Sequence, residues 1–158
     1  MESKKFFPMF FDISQKNILV VGGGKIAARR IRTLLQFAER LTVLAPQFCE
    51  ELLTIQKETQ SQRLILIQSP FTSETENLLE NMDIVLAATN CPEVNQRVVS
   101  ICREKQILVN TADDKHACDF YFPSVIEYGN VVMGINSGGK DPGKVKEVRG
   151  LIEEILQK

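Results

Sequence analysis

Through the first part of the chain, short apolar runs alternate with longer stretches whose apolar residues recur every three or four positions. Ile18–Val21, Leu64–Ile67 and Ile107–Val109 are runs of the first kind, Leu41–Leu44 is one broken only by Thr42, and Asp83–Ala88 is another after its first residue. A strand with one wet face alternates apolar and polar residues, so uninterrupted runs of this length predict strands covered on both faces. Between the first two runs, residues 25–38 place Ile26, Ala27, Ile31, Leu34, Leu35 and Ala38 on a helical stripe. Residues 48–58 read as a second helix and 73–80 as a short acidic one. Pro92 suits a first helical turn, and Val94, Val98, Ile101 and Cys102 give the helix behind it an apolar face. Repeated strand–helix units predict an α/β fold, a doubly wound parallel sheet with right-handed crossovers.

The rhythm then breaks. Tyr121–Glu127 and Val131–Asn136 are β-rich runs around Tyr128-Gly129-Asn130, which predicts a C-terminal β-hairpin. From Asp141 onward Val145, Val148, Ile152 and Ile155 fall three or four residues apart, a helical stripe. These patterns divide the chain into a sheet domain over 1–112 and a hairpin–helix segment over 113–158. The apolar stripe of that segment either docks on its own sheet or pairs with another chain, and the expectation is a homodimer.

The segment Asn17-Ile-Leu-Val-Val-Gly-Gly-Gly-Lys-Ile-Ala27 runs from a strand through three glycines into a helix. Gly22, Gly24 and Ala27 match the G-x-G-x-x-A form of the dinucleotide fingerprint, which makes the sheet Rossmann-like. Gly22 makes the tight turn, Gly24 lets the backbone approach a pyrophosphate, and Ala27 lets helix and strand pack closely. The helix start adds free N–H groups and a positive dipole end. A glycine-rich turn without a ligand is the plainer alternative, and the strand–turn–helix context argues against it. The fingerprint's ribose-binding acid is missing, because the second strand ends Leu44-Ala45-Pro46-Gln47 and Glu50 falls on the next helix. Ribose recognition then falls to backbone groups or Gln47. No Arg stands there for a 2′-phosphate, which favours NAD over NADP.

Two more strand ends carry polar groups to the expected ligand edge. Ala87-Ala88-Thr89-Asn90 combines small residues with hydrogen-bonding ones, and Asn90 or Cys91 also serves as a plain helix cap before Pro92. Val109-Asn110-Thr111-Ala112-Asp113-Asp114-Lys115-His116 is the densest ionisable group there. A carboxylate against a cofactor is a candidate general base, with burial expected to raise its pKa. A solvated Asp-Asp-Lys turn is the plainer reading of the same residues, and a lone His in such a loop is more often exposed than catalytic. Ser137-Gly138-Gly139-Lys140, with Lys144, Lys146 and Arg149 beyond, is either an anion-binding turn or an ordinary helix start with a charged face that Glu147, Glu153 and Glu154 partly cancel.

Composition narrows the classes. The chain has 158 residues, 44% hydrophobic and 25% charged, a soluble globular profile. The net charge of −1 gives no global attraction to nucleic acid or an anionic membrane. No apolar run approaches the ~18 residues of a membrane span. Lys4 and Lys5 precede only Phe6–Phe11, broken by Pro8, so no secretory leader is expected. The four cysteines form no C-x-x-C pair and read as reduced thiols of a cytoplasmic protein. With one His, no metal site is expected.

In order along the chain, Phe7-Pro8-Met9-Phe10-Phe11-Asp12, Val20-Val21-Gly22-Gly23-Gly24-Lys25-Ile26-Ala27, Ala87-Ala88-Thr89-Asn90 with Val94-Asn95, Val109-Asn110-Thr111-Ala112-Asp113, Cys118-Asp119-Phe120-Tyr121-Phe122-Pro123 and Ser137-Gly138-Gly139-Lys140 resemble the precorrin-2 dehydrogenase family of sirohaem synthesis. The resemblance implies NAD-dependent oxidation of precorrin-2 to sirohydrochlorin, with Asp113 as general base. It implies cofactor contacts at Gly22, Gly23, Gly24, Lys25, Ile26, Pro46 and Gln47, to which the strand-end position adds Thr89 and Asn90. Ser137 matches a serine near the family's tetrapyrrole pocket, and Lys140, Lys144 and Arg149 suit the carboxylates of precorrin-2. Members usually extend further, so at Lys158 the tetrapyrrole is expected to lack part of its cover or to receive it from a partner chain. Some members also insert iron, a step on which these residues are silent. The rival readings are a non-catalytic NAD-sensing or tetrapyrrole-binding module, which needs no base at Asp113, and a generic small-substrate reductase, which the missing Tyr-x-x-x-Lys pair disfavours.

Overall fold

The computed structural model describes residues 6–60 and 62–157. Lys4, Lys5 and Lys158, on which two expectations drew, lie outside the described residues. In chain order the elements are β1 (Ile18–Val21), α1 (Lys25–Leu34), β2 (Leu41–Ala45), α2 (Glu50–Glu58), β3 (Leu64–Gln68), β4 (Ile84–Ala87), α3 (Pro92–Glu104), β5 (Leu108–Thr111), β6 (Ser124–Tyr128), β7 (Val131–Ile135) and α4 (Pro142–Leu156). The contacts divide them into two compact units, Phe11–Asp119 and residues 6–10 with 120–157. The division falls after Asp119, later in the chain than the 112/113 boundary drawn from pattern alone.

The first unit is the doubly wound sheet, all parallel, in the order β3-β2-β1-β4-β5. Every residue of β1 and β4 is buried, as continuous apolar runs require. On one face Leu19, Val21, Leu44, Val85, Ala87 and Val109 meet Val98, Val99, Ile101 and Cys102 of α3. Ile18 and Val20 alternate with Leu19 and Val21 and turn to the opposite face, while α1 buries Ala27, Ala28, Ile31 and Leu34 and α2 buries Leu52 and Ile55. A fully buried Leu or Ile contributes about 1.5–3 kcal/mol. An exposed pair such as Arg97–Glu76 is screened by solvent even in its two-pronged geometry, so the core decides the fold.

Three elements differ from the pattern-based expectation, each for a contact made from elsewhere in the chain. The α1 helix stops at Leu34 instead of 38, because the Arg63 guanidinium donates to the carbonyls of Leu35 (2.6 Å) and Ala38 (2.9 Å). The acidic helix expected over 73–80 is a 3-10 turn, Glu76–Leu79, preceded by a Thr72–Thr75 turn and anchored by the fully buried Leu79. Strand β5 is Leu108–Thr111 instead of 107–109, because polar Asn110 and Thr111 pair with Leu86 and Ala87. The outer edge of β5 is covered by the chain that follows it. The Asp119 carboxylate accepts from the Val109 N–H at 2.9 Å, and the Cys118 sulfur accepts from the Thr111 N–H at 3.3 Å. An open strand edge is thereby closed.

The second unit is an antiparallel β6–β7 hairpin followed by α4. Gly129 takes the left-handed conformation (φ 57°) at the turn. Asp141 caps α4 by accepting from the Lys144 N–H at 2.8 Å. No residue of α4 is fully buried, and Leu151 and Ile155 are 53% and 68% exposed.

The sharpest packing constraint sits at Gly22, which has φ 131° and where a Cβ would lie 2.3 Å from the Ala88 carbonyl oxygen. Gly22→Ala is expected to lower the unfolding free energy by at least about 2 kcal/mol. Urea denaturation followed by circular dichroism measures it, and an unchanged midpoint would refute this account of the turn.

Candidate functional site

The strand order reverses between β1 and β4, because α1 carries the chain from β1 to β2 on one side while β4 lies on the other. In open α/β sheets the crevice at such a reversal, outside the carboxyl ends of the strands, is where ligands bind. The glycine turn stands at that place, and its three glycines do different things. Gly22 lets β1 close onto the end of β4. Gly23 lets the turn close onto the segment after β2, since a Cβ there would lie 2.1 Å from the Gln47 carbonyl oxygen. The Gly23 carbonyl also accepts from the Cys49 N–H at 2.8 Å. At Gly24 a Cβ would meet nothing within 4 Å, so the backbone borders open space.

Directly behind that space α1 begins. Gly24 is its N-cap, no side chain caps it, and its first turn holds no acidic residue. The other three α-helices each have an acidic first turn or a carboxylate cap. An uncapped helix start with a positive dipole end and room for a backbone approach fits a pyrophosphate. Lys25 and Ile26 form the first helical positions, and Ile26 is left 51% exposed. Pro46 and Gln47 are exposed after β2, and Glu50 opens α2, so no carboxylate stands at the ribose position. Asn90 is exposed at the end of β4, and Cys91, not Asn90, is the N-cap of α3.

Asp113 lies two residues beyond β5 and accepts from the Thr111 hydroxyl. Burial pushes its carboxyl up, but hydrogen bonds from Thr111, the Asn95 side chain and the backbone of Asp113 and Asp114 outweigh it and hold it below 3.8. The expectation that burial raises this pKa is therefore corrected: the donors win, and the group is a carboxylate across the neutral range. Asp114 instead caps a 3-10 turn, Lys115–Ala117, by accepting from the His116 N–H at 2.8 Å.

Two further side chains were given no role in the sequence reading, although Asn95 stands in a segment that carries the resemblance. Asn95 of α3 is 1% exposed; its Oδ1 accepts from the Thr89 N–H (3.1 Å) and hydroxyl (2.7 Å), and its Nδ2 donates to the Thr89 carbonyl (3.1 Å). A polar residue in register with buried Val98, Val99 and Cys102 was the available signal. Arg30 of α1 donates to Oδ1 of Asn110, itself 3% exposed, at 2.7 Å. Burial pulls the Arg30 pKa down, yet a guanidinium remains charged. Its place next to the apolar stripe of α1 was legible, and its partner on β5 was not.

The remaining residues expected at the site belong to the hairpin unit. Ser137 Oγ accepts from the Asp141 N–H at 3.0 Å, and Lys140 is exposed. Lys144 pairs with Glu147 at 2.9 Å, and Arg149 pairs with Glu153 at 2.9 Å while donating to the Ser124 hydroxyl at 2.9 Å. Exposed pairs of this kind contribute about 1 kcal/mol or less, so an incoming carboxylate can displace them. Among the described residues no helix is long and apolar enough to cross a membrane. Among the same residues no three His, Cys, Asp or Glu side chains are gathered to hold a metal ion.

Comparison with known proteins agrees with this geometry. A protein-family model described as "Putative NAD(P)-binding" matches residues 9–124. The "Probable multifunctional siroheme biosynthesis protein HemA" of Ruminiclostridium josui is 38% identical over 152 residues, covering 96% of this chain and 28% of that protein. A siroheme synthase of Pseudoalteromonas translucida is 33% identical over 152 residues, covering 96% of this chain and 31% of that one. The chain thus spans about a third of the length of these curated relatives. The solved structure of "SirC, precorrin-2 dehydrogenase" superposes with a TM-score of 0.76 at 27% identity, covering 94% of this chain and 70% of that one.

Folding and binding are separable at Gly24, which has ordinary backbone angles and open space. Gly24→Ala should leave the unfolding free energy within about 1 kcal/mol and weaken dinucleotide binding at least about tenfold, or roughly 1.4 kcal/mol. Calorimetric titration beside a denaturation curve checks both, and tight binding in the variant would remove the phosphate from this place. Asp113 should titrate below the ordinary Asp value of about 3.9, read from its carboxyl carbon by NMR.

Proposed function

This chain belongs to the "Putative NAD(P)-binding" family, and from that premise we propose that it oxidises precorrin-2 to sirohydrochlorin with NAD, using Asp113 as general base. The observation that carries the reading is the uncapped start of α1 behind the open space at Gly24, on the same sheet edge as an ionised Asp113. The names of the relatives and of the superposed structure support the choice of substrate.

NAD, when bound, supplies the hydride acceptor. The chain's own part is to bind, orient and take the proton. The N–H groups opening α1, with Lys25 and Ile26 in its first turn, would hold the pyrophosphate, and Pro46 and Gln47 would meet the adenosine part. Thr89 and Asn90 border the crevice from the β4 end. Oxidation of the macrocycle removes one hydride and one proton, and the Asp113 carboxylate receives the proton. Ser137, Lys140, Lys144 and Arg149 meet substrate carboxylates, each cation contributing little alone and several together enough to orient the ring. The segment 113–158 serves substrate binding and pairing with a second copy, a homodimer supported by the uncovered Leu151 and Ile155 of α4. A cytoplasmic setting is supported by the four cysteines, all free thiols.

The test is an anaerobic assay with precorrin-2 and NAD, following NADH and the sirohydrochlorin spectrum together. Asp113→Asn should lower turnover at least about 100-fold while leaving NAD affinity within about twofold. NAD binding without either signal in the unaltered chain would sink the enzyme reading and leave a binding module.

A further inference from the structure

Cys118 stands in a segment that carries the resemblance, yet neither the resemblance nor the proposed mechanism gives it a task. It is 3% exposed, and its sulfur is engaged with backbone. The Sγ atom accepts from the Thr111 N–H at 3.3 Å and lies 3.3 Å from the Thr111 carbonyl oxygen and 3.4 Å from that of Asp114. A thiol has one hydrogen, so the two carbonyls share its S–H. Burial pushes the Cys118 pKa up, which keeps that hydrogen in place across the neutral range. A thiol so buried is inert as a nucleophile, and what it offers the protein is its bonds.

The two residues it grips bracket the proposed base. Only Ala112 and Asp113 stand between Thr111 and Asp114. The near end of this loop is tied to the sheet, because the Ala112 N–H donates to the Ala87 carbonyl at 2.9 Å. The far end passes into the 3-10 turn, where the Ala117 N–H donates to the Asp114 carbonyl at 3.2 Å. The Arg103 guanidinium of α3 donates in turn to the Ala117 carbonyl at 3.2 Å. Inside the loop the Thr111 hydroxyl donates to the Asp113 carboxylate. One sulfur therefore holds the backbone of the residue whose hydroxyl meets the base, and the carbonyl of the residue that follows the base. Each sulfur bond is weak singly. Gathered on one buried atom with little water to compete, they fix the loop together.

We propose that Cys118 is a positioning residue whose thiol holds the loop from Thr111 to Asp114 in the shape that sets the Thr111 hydroxyl against the Asp113 carboxylate, fixing the direction of that carboxylate at the sheet edge. For its kinetic consequence the proposal rests on the dehydrogenase reading; for its geometry it does not. The glycine turn and the start of α1 belong to other elements, so loss of the thiol falls on turnover and spares dinucleotide binding.

The experiment compares the unaltered chain with Cys118→Ala and Cys118→Val, which remove the bonds with a smaller and a larger apolar side chain, so that one is read if the other fails to fold. Cys118→Ser keeps a donor and an acceptor and is the conservative control. The first readout is the carbon NMR resonance of the Asp113 carboxyl at neutral pH, with Thr111→Val as the reference in which the hydroxyl is gone. Cys118→Ala or Cys118→Val should move the resonance in the direction of that reference, and Cys118→Ser should restore most of it. The second readout is anaerobic turnover, where kcat should fall about tenfold because a base slightly misplaced loses much of its effect, with NAD affinity within about twofold. Cys118→Ser should recover most of kcat as well. An unmoved resonance or an unmoved kcat overturns the proposal whatever the loss of thermal stability, since a merely structural residue behaves that way. An equal loss of NAD affinity and kcat overturns it too, as does a serine variant that restores neither readout. A Thr111→Val reference that leaves the resonance in place does the same, because the hydroxyl contact is the middle link. Should the unaltered chain not turn over precorrin-2, the dehydrogenase reading falls and the resonance alone decides the role of Cys118. If turnover is present and the resonance stays put, Cys118 falls alone.

Discussion

The structure turns on one crowded point, where the end of β1 passes between the end of β4 and the segment after β2. A side chain at Gly22 would collide with the Ala88 carbonyl, and one at Gly23 with the Gln47 carbonyl, at 2.3 and 2.1 Å. Backbone meets backbone on both sides, so no rotamer change can relieve a substitution there. The close approach brings the start of α1, the end of β2 and the end of β4 to a single crevice at the strand reversal. Everything chemical in the sheet unit is arranged around that crevice. At Gly24, the third glycine, a Cβ would meet nothing within 4 Å, so packing does not require its smallness.

The electrostatics of the crevice follow from the same economy. Helix α1 leaves its first N–H groups without a carboxylate, so its positive end is unspent. Asp113 is stabilised as an anion by neutral donors and not by a cation, which keeps the carboxylate ionised without neutralising its field. The half-buried Arg30 guanidinium donates to the Asn110 amide. A guanidinium paired directly with Asp113 would depress its basicity much further. The arrangement therefore keeps an ionised carboxylate and the positive end of a helix as two separate, unneutralised charges on one sheet edge.

How much of this the sequence disclosed depends on whether the deciding partner was local. Strands β1 and β4 were legible because burial on both faces leaves continuous apolar runs, and the glycine turn because its spacing is tied to a strand and a helix. The end of α1 was not, since Arg63, from another element, takes the carbonyls of Leu35 and Ala38. The end of β5 was misread for a related reason: Asn110 and Thr111 look like loop residues until their ladder partners are known. Asn95 broke an otherwise apolar stripe, a legible signal with an illegible meaning, because its partner Thr89 lies beyond the end of β4. The direction of the Asp113 pKa failed in the same way. Burial can be guessed from a neighbouring strand, but the donors that outweigh it cannot.

That direction bears on the proposed chemistry. A carboxylate held below its ordinary value by hydrogen bonds is a weak base toward any proton in water. Its donors are neutral and few, however, and one of them, the Thr111 hydroxyl, can rotate its hydrogen away at small cost. A macrocycle laid over the crevice removes water from the carboxylate, and desolvation acts on Asp113 in the upward direction. Burial already opposes the donors in the free chain, so covering the site shifts the balance toward the basic side without any new charged group. On the proposed chemistry, the basicity of Asp113 would then rise as substrate covers it.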